Sequence, residues 1–153
     1  MNIPAHRAAQ LDAPVEYAGF WRRLLAVLID TVVLLCVTMP LLVAVYGWDY
    51  FLVESRPLIP GGAELLISYV LPAVATIIFW KTRQATPGKM LLSMKIVDAE
   101  TGQAMSIAQS IGRFFAYFVS TLVFMLGYLW VAFDPRKQSW HDKLAGTVVI
   151  VSR

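Results

Sequence analysis

The sequence predicts an all-α integral membrane protein with two transmembrane helices, a third membrane segment that spans or re-enters, and a small cytoplasmic β element. Three observations carry this expectation. Of 153 residues, 58% are hydrophobic and 15% charged, with a mean hydropathy of +0.63, against about 45–50% apolar and about 25% charged in ordinary soluble domains. The apolar residues are gathered in blocks at 24–46, 65–80 and 114–133. Outside the blocks, two runs, the apolar Met90 to Val97 and the β-branched Gly146 to Val151, read as strands.

Taken in order, Met1 to about Pro14 is short, polar and expected to fray, without the pattern of a removable signal peptide. The chain therefore divides into a flexible segment, 1–16, and one membrane domain, 17–153. Leu24 to Tyr46 is 23 residues with one charge, Asp30. At 1.5 Å per residue it spans about 34 Å, enough for a hydrocarbon core of about 30 Å. Pro40 marks a place for a kink that neighbouring helices tolerate. Cys36 lies in this run and is expected to act as a small buried hydrophobe. A lone cysteine forms neither an intramolecular disulfide nor a zinc site.

Gly47 to Gly62 is a turn-rich loop with Asp49, Glu54 and Arg56, edged by Trp48, Tyr50 and Phe51 as interfacial anchors. Leu65 to Trp80 is the second span, closed by Lys81 and Arg83. The stretch 81–113 carries five bases (Lys81, Arg83, Lys89, Lys95 and Arg113), whereas the 47–62 loop carries one. The positive-inside rule then puts 81–113 in the cytoplasm, and Arg7, Arg22 and Arg23 put the N-terminus there too. Met90 to Val97 reads as a strand ending in the turn Asp98-Ala99-Glu100-Thr101-Gly102, and Ser106 as the cap of the next helix.

Phe114 to Phe133 is 20 uncharged residues. As a third span it would send Arg136, Lys137, Lys143 and Arg153 outside, against the same rule. Pairing of the strand at 146–151 with the one near 90–97 would hold both ends on the cytoplasmic side. The segment would then re-enter, turning near Leu126-Gly127 under cover of other helices.

Asp30 is the most informative single residue. A carboxylate at that depth costs about 2.5–3.5 kcal/mol on insertion scales, so it is a proton or cation site, or packing glue bonded to a neighbour. Arg23 shares its face but sits about 10.5 Å away along the axis, too far for direct contact. The segment Ser139-Trp140-His141-Asp142-Lys143-Leu144 suits an interfacial helical turn. No second His or acid at helical spacing completes a metal pair, and no nucleophile arrangement stands out. Thr86-Pro87-Gly88-Lys89 lacks the Gly-rich run of a phosphate loop and reads as a turn. The net charge of +3 gives no reason to invoke nucleic acid.

Together these stretches carry a resemblance. Gly19-Phe20-Trp21-Arg22-Arg23-Leu24-Leu25-Ala26-Val27-Leu28-Ile29-Asp30 resembles the opening of the RDD family of bacterial membrane proteins, named for one arginine and two aspartates. Thr86 to Lys89, Lys95 to Asp98, Ser106 to Arg113 and the close from His141 to Val149 also look familial, so the resemblance covers roughly 17–151. It matches Arg23 and Asp30 to the arginine and first aspartate, assigns Asp142 as the second, and implies that the three form one polar constellation. It implies a multi-pass protein of the bacterial cytoplasmic membrane, with no catalytic residues or cofactors to carry over. The leading expectation is a non-enzymatic scaffold or accessory subunit, in a homo-oligomer or with a membrane-protein partner. The alternative is a cation- or proton-coupled transporter acting as an oligomer through Asp30. A lipid-modifying enzyme using His141 and Asp142 is a weaker third.

Overall fold

A computed structural model of the protein describes residues 15–53, 60–122 and 126–152. The expected frayed start, Met1 to Pro14, and the loop charges Glu54 and Arg56 lie outside the described residues.

Helix α1, Phe20–Tyr46, runs 27 residues and passes through Pro40 without interruption. Gly47, at φ 77°, takes the chain out of the helix into a 3-10 turn, Trp48–Phe51, where Tyr46 and Tyr50 stack at 5.1 Å. Helix α2, Gly62–Leu65, leads through a π-helical turn, Leu66–Val70, into α3, Leu71–Arg83. The wider turn falls just before Pro72, whose ring and missing N–H would not fit a regular helix interior. Gln84, at φ 57°, closes α3 in the left-handed region, with Lys81 and Arg83 in its last turn, where cations offset the helix dipole.

The chain then departs from expectation. Met90 and Leu91 belong to a short helix, α4, Pro87–Leu91, and strand β1 covers only Met94–Asp98. Pro87 is a favourable first-turn residue, so the chain coils into helix before the strand begins. Strand β2, Thr147–Val151, pairs antiparallel with β1, Met94 opposite Val151 and Asp98 opposite Thr147. The other edge of β2 is taken by residues just before α1: Ala18 donates to Val149 O (2.9 Å) and Val151 to Glu16 O (2.8 Å). After β1, Asp98 Oδ1 accepts from the Glu100 and Thr101 amides and the Thr101 hydroxyl, fixing the expected turn.

Ser106 caps α5, Ile107–Leu122. Its hydroxyl accepts from Gln109 N (3.1 Å) while Gln109 Oε1 accepts from Ser106 N (2.9 Å), a reciprocal capping box. Helix α6, Leu126–Leu129, and a 3-10 turn, Trp130–Ala132, follow. The two arms, Ile107–Leu122 and Leu126–Ala132, are bent by 108° to each other, so the third block is no straight rod. Gly127 lies so close to Ser120 that a Cβ there would stand 2.7 Å from the Ser120 Cβ. Helix α7, Trp140–Leu144, then returns the chain to β2.

The best-buried apolar residues, Ala18, Ala26, Trp80, Met94, Ile96, Met105 and Val149, gather where the sheet meets the first turns of α1 and the end of α3. Elsewhere the helices turn apolar side chains outward. Val32, Leu35, Val74, Ile78 and Phe118 are all exposed, and Cys36 is exposed with them rather than buried as expected. Helix α5 is inverted outright. Ser110, Arg113, Ala116 and Ser120 face inward at helical spacing, while Ile111, Phe115, Phe118 and Leu122 face out. Water would favour the opposite arrangement. Two stretches, Phe20–Tyr46 and Gly62–Leu91, are long and apolar enough to cross a membrane, or three if the bent pair is one span.

Candidate functional site

The polar face of α5 points at α7. Ser139 caps α7 through a capping box in which Asp142 supplies the returning carboxylate, with Asp142 Oδ2 accepting from Ser139 N at 3.0 Å. That geometry turns the Asp142 side chain back toward the helix start, where it is fully buried. Two guanidinium groups meet it. Arg23 Nη1 donates to Oδ2, and Arg113 Nη1 lies 2.5 Å from Oδ1. Arg23 also donates from Nε to Ala18 O (2.9 Å) and from Nη2 to Lys137 O (2.5 Å). One side chain thereby fastens the start of α1 to the segment before α7. Arg113 Nη1 also donates to the Thr147 hydroxyl on β2, linking α5 to the sheet.

Burial on its own would raise the Asp142 pKa. The Arg113 and then the Arg23 guanidinium outweigh it and hold the carboxyl well below the usual carboxylate range. An unpaired buried charge would cost several kcal/mol, so the cluster fixes how α1, α5 and α7 dock.

Of the three residues that the resemblance groups, the structure brings two together. Arg23 and Asp142 are in direct contact. Asp30 has other partners: Oδ2 accepts from the Thr86 hydroxyl (2.5 Å) and Oδ1 from Gly88 N (2.6 Å). Its carboxylate caps the short helix α4 from outside, supplying an acceptor that the first turn lacks. The approach requires glycine at 88, since a Cβ there would run into the Ala26 backbone. Lys89, also buried, reaches Thr86 Oγ1 at 3.4 Å.

Arg113, the side chain between Asp142 and the sheet, enters the sequence reading as a loop base and as the end of the familial stretch from Ser106, without a partner assigned. Its burial depends on α5 beginning at Ile107, and the cap at Ser106 was the available signal. His141 is buried as well, packed on the Tyr117 ring at 3.9 Å between centroids. Nδ1 faces Ser120 Oγ (3.2 Å) and Nε2 faces Ser139 Oγ (2.8 Å). Burial and then the Arg113 charge push its pKa down to about 2. Ser139 and His141 thus have the spacing of a nucleophile and base, yet a histidine this weakly basic is far from a general base poised near neutral pH.

Two cavities share Val27, Lys89, Tyr117 and Thr121 in their walls. One, of about 550 Å³, lies between α1, α3 and α5 and includes Asp30. The other, of about 400 Å³, lies between α1, α5 and the α6 arm and includes Arg23, Arg113 and His141. Among the described residues, no group of three or more His, Cys, Asp or Glu is placed to hold a metal.

Comparison with known proteins finds relatives of this chain. An uncharacterized protein of Rickettsia prowazekii is 45% identical over 76 residues, half of this chain and 42% of its own length. The uncharacterized protein YxaI of Bacillus subtilis is 29% identical over 156 aligned positions, covering 87% of this chain and 96% of its own. The uncharacterized membrane protein YteJ of the same organism is 28% identical, covering 88% and 80%. No solved structure matches. The model of the RDD family matches residues 17–146, a range that contains Arg23, Asp30, Arg113 and Asp142, and the chain belongs to that family.

Proposed function

We propose that the chain is a multi-pass protein of the bacterial inner membrane that acts as a non-enzymatic scaffold or accessory subunit. In this reading α1 and the α2–α3 run form an in–out–in hairpin. Helices α5 and α6 enter and leave from the cytoplasmic side, where the sheet and both termini lie. The inverted face of α5, the exposed apolar bands and the bases in 81–113 support the placement. The observation that carries the role is the engagement of both motif acids. Asp30 is held by Thr86 and Gly88, and Asp142 by Arg23, Arg113 and Ser139. Acids committed to fastening elements are poorly suited to exchange ions. His141, with its low basicity, gives no support to an enzyme.

One observation favours a second reading, an oligomeric cation- or proton-coupled transporter. Asp30 borders a cavity of about 550 Å³ that reaches between the long helices. Proteoliposome flux under imposed pH and sodium gradients separates the two. The accessory reading expects wild type and Asp30→Asn alike to match empty vesicles, with the fold intact because the Thr86 hydroxyl can reverse its hydrogen bond. Wild-type flux that disappears in folded Asp30→Asn would replace it with the transporter.

A further inference from the structure

The cavity between α1, α5 and the α6 arm is built for charge at its inner end and for hydrocarbon along its walls. Arg23, Lys89 and Arg113 all line it. Asp142 is the carboxylate facing the two arginines, and Asp30 reaches Lys89 only through the Thr86 hydroxyl. Three cations thus meet two carboxylates whose oxygens already face donors. Arg113 is fully buried, with its guanidinium beside the Trp80 and Tyr117 rings, and its Nε and Nη2 have no partner in hydrogen-bonding geometry among the described residues. Buried guanidinium N–H groups left unpaired are costly, so the site gains from an anion. The apolar part of the wall is Phe20, Leu24, Val27, Leu129 and Val131, and Tyr117, Thr121, Tyr128, Ser139 and His141 complete it. Leu24, Val27 and Leu129 stay exposed at the mouth.

From this we infer that the cavity binds a phosphate group carried on an apolar chain, the headgroup of an anionic phospholipid. The phosphate oxygens accept from Arg113 and Lys89, geometry to which guanidinium donors are suited. The acyl chain leaves past Leu24, Val27 and Leu129. Binding there ties α1 to the α6 arm. The inference rests on the membrane placement proposed above, and testing it in detergent separates the two, because lost lipid binding would leave the placement standing.

The test is native mass spectrometry of the detergent-purified chain titrated with phosphatidylglycerol, phosphatidylcholine or inorganic phosphate. Saturable one-to-one binding of phosphatidylglycerol, at least tenfold tighter than of the other two, is expected. Lys89→Gln should weaken it about tenfold and Lys89→Arg should restore it. Leu129→Trp, which fills the mouth without touching a charge, should weaken it as well in case the lysine variant does not fold. Equal affinity for the two lipids, or for phosphatidylglycerol and inorganic phosphate, overturns the proposal. So does unchanged affinity in folded Lys89→Gln and Leu129→Trp.

Discussion

Asp142→Asn removes one charge while keeping the shape of the side chain and an oxygen able to accept from Ser139 N. What it leaves behind is Arg113, with no exposed side-chain surface, and Arg23, with a side chain 11% exposed. Breaking a buried pair by removing one partner costs about 3–5 kcal/mol, a large share of the about 5–15 kcal/mol that holds a domain together. The Arg23 contacts to Ala18 and Lys137 carbonyls survive, so the penalty belongs mainly to Arg113. A melting curve in mild detergent, followed by tryptophan fluorescence, should drop by about 6–20 °C on the scale for chains of this size. Adding Arg113→Met should recover part of the loss, because it removes the stranded charge and fills its volume. The double-mutant coupling should exceed about 1 kcal/mol. A variant Asp142→Asn that melts within 2 °C of wild type, or effects that simply add, would refute the account of Asp142 as the counter-ion of a buried arginine.

Two further outcomes follow from the same region. Gly88→Ala should destabilise the fold by about 1–3 kcal/mol, since its Cβ displaces α4 from Ala26 and breaks the Asp30 hydrogen bond; proteolysis protection between α3 and β1 measures it, and a stable variant would show that α4 does not dock there. His141, pushed down to about 2 when folded against an ordinary value near 6.5 when unfolded, stays neutral while the unfolded chain takes up a proton. Its contribution is complete above pH 6.5 and is lost as pH falls, by up to about 1.4 kcal/mol per unit. Unfolding midpoints at pH 7.5, 6 and 5 should therefore decline in wild type and flatten in His141→Gln, and parallel profiles would sink the assignment.

How far the chain could be read in advance depended on the range of the interactions involved. The apolar blocks ending in Tyr46 and Trp80, the cap at Ser106 and the β-branched run at 147–151 are all decided by neighbours a few residues apart. Their physical causes, chain length against hydrocarbon thickness, a reciprocal cap and alternating pairing, are present in the linear order. Pairing of β1 with β2 was legible too, since an isolated strand needs a partner and each was the other's evident one.

Tertiary structure decided the rest. Nothing local to Asp30 names Thr86 and Gly88 as its partners, since they lie more than fifty positions away and meet it only because Gly88 lacks a Cβ. Arg113 looks like any cytoplasmic base until α5 turns its polar face inward. Then it becomes the buried partner of an aspartate that α7 delivers through its own cap. The sequence by itself determined which long segments are helical and apolar and which charges would be costly. Only the packing of distant segments determined which charges meet, because the strength of a buried pair depends on burial and separation, and neither exists before the chain has folded.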